Sequence, residues 1–196
     1  MAAVRQAFTR ESADARRAEL IAAAAAVLAE HGLAGTNVRA ICARAGVSPG
    51  LLRHYFAGID DLIAATYRAT SDRMDAIFAD AVAAAGPDPR ARLLAYLTAS
   101  FRPPVTDPEL LGAWTAFWAL ARSDARMAEI HAESYAGYRA RLNELLVTCG
   151  AADAGRLAIL LTAMVDGLWL ELSLDAESFG ADAAAAMVER AVEALA

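Results

Sequence analysis

The sequence predicts an all-α protein of about nine helices, with a short helix-turn-helix unit near its start and a larger helical body behind it. Three observations carry this prediction. Alanine supplies much of the 58% apolar share, and alanine is the strongest helix former. Apolar residues recur three and four apart along most of the chain, while no run alternates with the period of two that a half-buried strand requires. Glycine, proline and capping residues punctuate the chain at intervals suited to helices.

Taken in order, Leu20, Ile21, Ala24, Val27 and Leu28 form one face of a first helix. It should end near His31-Gly32, where glycine supplies the stop. Thr36 is the expected cap of a short helix running to about Ala45, its hydroxyl accepting from amides of the first turn. Gly46 closes that helix. Ser48 followed by Pro49 is a cap and a first-turn proline, opening a helix of about two turns that Phe56-Ala57-Gly58 breaks. A long helix follows over 59–84, with Asp60 and Asp61 in the first turn where the helix dipole favours acids. After Gly86-Pro87-Asp88-Pro89 the expected helices are 89–101, 108–121, 124–148, 153–174 and 180–195, with Pro103-Pro104 as a breaker. No flexible linker separates Gly58 from Ile59. The division expected is 1–58 and 59–196, joined rigidly.

Charge is spread unevenly. Residues 1–58 hold seven Arg against four acids, and 59–196 hold eleven Arg against twenty. A basic module on an acidic body suits a polyanion meeting one end of the molecule, although an uneven solvated surface gives the same count. Cys42 and Cys149 are the only cysteines, far apart, so no disulfide framework is indicated. The most apolar run, 157–174, has nearly spanning length, but Asp166 interrupts its middle, and no membrane partner is expected. The N-terminus lacks a signal-peptide pattern, which places the chain in the cytoplasm. Three scattered histidines, His31, His54 and His131, offer no metal-ligand spacing, and no glycine-rich phosphate loop follows a strand. Neither an enzyme nor a bound metal or cofactor is expected.

In Thr36 to Phe56, the residues Ile41, Cys42, Ala45, Val47, Leu52 and Phe56 fall on inward positions, and Gly46 stands where the chain must turn sharply. The second helix is about 10 Å long at about 1.5 Å per residue, short enough to lie in a major groove about 12 Å wide. Ser48 to Leu51 would then face the bases.

This segment resembles the TetR family of regulators in Thr36, Ile41, Ala45 to Ser48, Gly50, Tyr55-Phe56 and Leu62, which match the family signature in order and spacing. The resemblance implies an N-terminal three-helix DNA-binding domain followed by a ligand-binding and dimerisation domain. It implies a homodimer on double-stranded operator DNA, released by a small-molecule inducer. Thr36, Arg39, Ser48, His54 and Tyr55 are then expected near phosphates, and Pro49, Gly50, Leu51 and Arg53 near base edges or the groove wall. Arg53 suits either a guanine edge, read in two bonds, or a phosphate. His54 has a second reading, as a histidine packed on the long helix. Ile59 departs from the family, which usually has Lys at the start of the long helix.

Further along, Leu62 to Thr66, Trp114-x-x-Phe-Trp118 and Asp166 to Leu170 resemble the choline-responsive BetI-type repressors. Trp114, Phe117 and Trp118 place three rings on one helix face. Such a stripe serves either as core or as a cage for a quaternary or protonated amine, with Asp166 supplying opposite charge and Trp169 one turn beyond it. Asp166 has the alternatives of an Arg ion pair or a hydrogen bond across a dimer interface. Tyr135 and Tyr138 are cage walls or surface residues. Leu157, Leu161, Met164 and Leu168, with Met187, Val188 and Val192, are the expected dimer face, completing a four-helix bundle across a two-fold axis. A helical interaction protein with a degenerate DNA-binding fold is the rival reading.

Overall fold

The computed structural model describes residues 2–175 and 179–195, with side chains over 13–175 and 179–194. Among the described residues there are nine α-helices, one short 3₁₀ turn and no strand. They are α1 (Ala2–Gly35), α2 (Val38–Ala45), α3 (Pro49–Tyr55), α4 (Ile59–Ala84), α5 (Pro89–Thr98), α6 (Pro108–Ala121), α7 (Ala125–Thr148), α8 (Ala154–Leu174) and α9 (Ala181–Leu195).

Gly32 does break the helical path of α1, at φ 59° and ψ −168°, before one more turn carries the chain to Gly35. The cap of α2 is not Thr36 but Asn37, whose Oδ1 accepts from the Ala40 amide at 3.0 Å. Thr36 is held back because its hydroxyl donates to the Gly32 carbonyl at 2.7 Å, satisfying an oxygen that the break leaves open. The helix expected over 89–101 is α only to Thr98 and then tightens into a 3₁₀ turn over Ala99–Phe101. Pro103-Pro104 follows at once, and a tightened last turn is a common way to end a helix there.

Two apolar clusters hold the molecule together. In the first, Leu20 and Ala24 of α1, Ile41 of α2, Leu52 of α3 and Leu62 of α4 are fully buried around Phe56. Truncating one of these leucines to alanine would cost about 2 to 5 kcal/mol. The second contains Tyr67 and Phe78 of α4, Leu97 of α5, Phe117 of α6, Ile130 and Leu142 of α7, Trp169 of α8 and Val188 of α9. Helix α4 supplies both clusters, so the two parts share a rigid rod.

A second seam joins them. A Cβ on Gly112 of α6 would lie 2.8 Å from the Ala29 carbonyl oxygen and 2.9 Å from its Cα. Glycine is therefore what lets α6 lie directly on the α1 backbone. Helices 13–35 and 154–174 are long and apolar enough to cross a membrane by length and composition, yet both are layers of this packing, α1 against α2, α4 and α6 and α8 against α7 and α9.

The expected dimer face needs correction. Leu161, Val188 and Val192 point into the protomer's own core, at 1%, 0% and 5% exposure. Leu157, Met164 and Leu168 are half-buried against the same core. Among the described residues, the large apolar side chains that α8 and α9 leave open are Ile159, Leu160, Leu170, Leu174 and Met187. Both faces of α8 are apolar, so its composition does not say which one the protomer covers.

Candidate functional site

Local rules set the recognition unit. Gly46 ends α2 in the left-handed region, at φ 64° and ψ 33°, a conformation that a side chain would strain. The Ser48 hydroxyl accepts from the Leu51 amide at 3.2 Å, and Pro49 occupies the first turn of α3, where no amide partner is needed. Leu52 and Phe56 turn inward, and Arg17 of α1 lies with its guanidinium 5.0 Å from the Phe56 ring centre. That cation–π contact, which the sequence does not advertise, clamps the end of α3 to α1.

The same geometry brings Arg39, Ser48, Pro49, Gly50, Arg53 and His54 to the surface, with Thr36, Leu51 and Tyr55 half-buried between them. Arg44 is not available to an anion, because its guanidinium is paired with Glu30 at 2.7 Å. Arg39 and Arg53, in contrast, form no ion pair among the described residues. His54 is exposed and meets Tyr55 edge-on at 5.1 Å instead of packing on α4. Ile59 is half-buried and adds no positive charge.

The second site is a cavity of about 50 Å³ between α4, α6, α7 and α8. Six of the seven residues expected at a ligand, Trp114, Trp118, Tyr135, Tyr138, Asp166 and Trp169, line it together. The seventh does not. Phe117 is fully buried and stacks on Tyr67 at 4.3 Å, since α6 presents positions 114 and 118 to the cavity and turns 117 toward α4. Ser71, Met74, Asp75 and Phe78 of α4 also line it, with Ser100, Ser134 and Val165. Sequence reasoning missed them, although Ser71 and Asp75 are polar residues at inward-facing spacing beside Met74 and Phe78.

One hydrogen-bonded chain crosses the cavity: Trp118 Nε1 donates to Tyr135 Oη at 3.0 Å, and Tyr135 Oη donates to Asp166 Oδ1 at 3.1 Å. Burial pushes the Asp166 carboxyl up to about 6, against the opposing pull of the Tyr135 hydrogen bond and the Arg139 charge. No arginine forms an ion pair with it among the described residues. Burial also raises the Tyr135 hydroxyl, with the Asp166 charge adding to the effect, so this tyrosine stays a donor. Burial lowers His131, whose ring lies 4.2 Å from Tyr135 and whose Nδ1 is 2.8 Å from Tyr67 Oη.

Among the described residues, buried Ser71 Oγ and Trp169 Nε1 have no hydrogen-bond partner, and Tyr138 Oη has none of good geometry, with the Ser100 side chain close to it. All three belong to residues lining this cavity. Such groups are rare in folded proteins, and their convergence marks a place where water or a ligand completes the bonding. Aromatic rings with a carboxylate at one side are the groups that attract a cation.

A path of contacts runs from α7, one wall of the cavity, to the helix-turn-helix. Arg126 at the start of α7 pairs with Asp61 at 2.8 Å. Asp61 Oδ2 in turn accepts from the Ala57 amide at 3.2 Å, in the turn between α3 and α4.

Comparison with known proteins agrees with this anatomy. Residues 20–66 match the model of the tetR family of bacterial regulatory proteins, and residues 89–196 match that of the C-terminal part of BetI-type transcriptional repressors. The HTH-type transcriptional regulator BetI of Rhizobium meliloti is 35% identical over 186 residues, covering 91% of this chain and 88% of the relative. That of Paraburkholderia xenovorans is 32% identical, covering 86% and 87%. A solved transcriptional regulator of Pseudomonas aeruginosa PAO1 superposes with a TM-score of 0.83 at 39% identity, covering 93% of this chain and 90% of that one. A regulator of Saccharomonospora viridis, solved in complex with choline, shares the fold at a TM-score of 0.79 and 18% identity, covering 90% and 95%. The chain belongs to the TetR family of bacterial transcriptional regulators, in its BetI-type branch, and is a regulator of transcription and not an enzyme.

Proposed function

We propose that this regulator is a cytoplasmic repressor, a homodimer that holds operator DNA through residues 1–58 and releases it when a cationic amine enters the cavity of residues 59–196. The observation that carries the reading is Asp166, a largely buried carboxylate among aromatic rings that forms no ion pair among the described residues, Arg139 acting on it only from a distance. A bound quaternary or protonated amine supplies the opposite charge, and each ring contact adds about 0.5 to 2 kcal/mol. The choline complex of the Saccharomonospora viridis regulator makes choline the first probe for this chain.

On the DNA side, Arg53 and the start of α3, Pro49 to Leu51, meet base edges or the groove wall. Thr36, Arg39, Ser48, His54 and Tyr55 meet phosphates. The dimer forms where α8 and α9 expose Ile159, Leu160, Leu170, Leu174 and Met187, with Leu157, Met164 and Leu168 at its margin. Two copies of α3 must then sit about 34 to 36 Å apart to reach both halves of a palindrome. A ligand that moves α4 or α7 alters this spacing through Leu62 and the Arg126–Asp61–Ala57 link. It does so by binding the released arrangement more tightly than the DNA-bound one.

Intrinsic fluorescence tests the ligand half of this reading directly, because all three tryptophans of the chain line the cavity. Choline is expected to change the emission saturably and to raise the melting temperature, and Asp166→Asn is expected to remove both responses. A choline response that survives Asp166→Asn unchanged would move the cation site elsewhere.

A further inference from the structure

Asp166 is not the cavity's only carboxylate. Asp75 lies one turn beyond Ser71 on α4 and lines the same space. The cavity borders two surface clefts. On one side it shares Trp118, Tyr135 and Asp166 with a cleft of about 480 Å³ that also carries Arg122 and Arg139. On the other it shares Ser71, Asp75 and Ser134 with a cleft of about 260 Å³ between α4 and α7. The two clefts have no lining residue in common. The two carboxylates therefore stand at opposite sides of one cavity walled by aromatic rings, each beside a different surface cleft.

The clefts also differ in charge. The Asp166 cleft carries two arginines, which repel an approaching cation. The other carries Asp72, Asp75 and Glu133 against Arg68, and Arg68 is already paired with Glu133 at 2.7 Å. Among the described residues Asp72 and Asp75 have no cationic partner. An acidic stretch of helix alone is commonly just a solvated face. Ser71 distinguishes this one: the residue is 7% exposed, its Oγ has no hydrogen-bond partner among the described residues, and it lines both the cavity and the acidic cleft. A buried hydroxyl one helical turn from a carboxylate at the edge of an aromatic-lined cavity matches the needs of an ammonium group, which is a multiple donor with a charge to neutralise.

We propose that Ser71 and Asp75 form a second cation subsite, so that the preferred effector carries two cationic nitrogens joined by an apolar chain, as in the linear diamines and polyamines. One ammonium sits at Asp166 and the other at Asp75, hydrogen-bonded to Ser71 Oγ, with the methylenes against Phe78, Trp114 and Tyr138. The ligand enters through the acidic cleft between α4 and α7. This rests on the reading of Asp166 as a cation site.

Calorimetric titration of the intact protein with matched pairs, n-alkylamines against α,ω-diamines of the same length, tests it, with choline as the single-charge reference. One diamine length is expected to bind at least about fivefold more tightly than its monoamine, beyond the factor of two from its equivalent ends, as one partly solvated ion pair would give. Asp75→Asn should bring that ratio down to the statistical factor, and Asp166→Asn should weaken choline and diamine alike. A diamine advantage absent at every length, or one that survives Asp75→Asn, overturns the second subsite. Choline binding that depends on Asp166 without any diamine advantage removes the second subsite and keeps the first. Failure of every amine to bind removes both.

Discussion

Replacing Asp166 by asparagine should make the ligand-free protein more stable while removing its response to cations. The reason is the cost of holding an unpaired carboxylate in the cavity. Its carboxyl is raised from an ordinary 3.8 to about 6, with burial as the main cause. Between those values the unfolded chain ionises Asp166 while the folded chain keeps its proton. The penalty is therefore absent well below pH 3.8, grows as pH rises, and is complete above about pH 6, where it reaches roughly 3 kcal/mol. Part of that gain is lost to the desolvation of the new amide nitrogen, at about 1 to 2 kcal/mol. The net stabilisation at pH 7.5 is then about 1 to 2 kcal/mol, which raises the melting temperature by about 2 to 8 °C for a chain of this size. At pH 4.5 only about 1 kcal/mol of the penalty remains, and the amide cost cancels it. Thermal unfolding of both proteins at the two pH values is the assay. An equal effect at pH 4.5 and 7.5, or a variant less stable at pH 7.5, would refute the claim that Asp166 is an uncompensated buried charge.

Three further outcomes follow from other parts of the molecule. Choline is a permanent cation, so any pH dependence of its binding belongs to the protein; its affinity should fall about tenfold between pH 7.5 and pH 5 as Asp166 takes up its proton, measured by tryptophan emission. Asn37→Ala should cost about 1 kcal/mol of stability by removing the cap of α2, read from denaturant unfolding, and a neutral result would mean that the bond to the Ala40 amide does not form. Gly112→Ala should destabilise by about 1 to 3 kcal/mol, because its methyl would meet the Ala29 backbone at 2.8 Å and backbone yields less readily than a side chain.

The parts of the fold governed by local rules were legible from the sequence. Gly46, Ser48 and Pro49 act through their own backbone preferences, and the boundaries of α3 and α4 follow from them. The choice between Thr36 and Asn37 as cap was not legible, since both are capable and adjacent. It is decided by the break at Gly32, which puts an open carbonyl within reach of the Thr36 hydroxyl. The aromatic stripe on α6 was legible as a stripe, but assigning Phe117 to the core and Trp114 and Trp118 to the cavity needs the position of Tyr67, some fifty residues away. For α8, apolar residues on both faces hide which side the protomer buries, and Leu161 was therefore placed on the wrong one. Ser71 and Asp75 were overlooked because exposed polar residues on a long helix are ordinary; only the packing of α7 and α8 turns them toward a cavity.

The central claim is that a cation at Asp166 and DNA at α3 compete through one rigid body. It is tested most directly by fluorescence anisotropy of a labelled operator, selected from random duplex DNA by the protein itself, titrated with choline. The account predicts release from the wild-type protein, no release from Asp166→Asn although that variant binds the same DNA, and weakened DNA binding by Arg53→Ala. Choline that binds the wild-type protein at Asp166 and leaves the operator complex intact would contradict it.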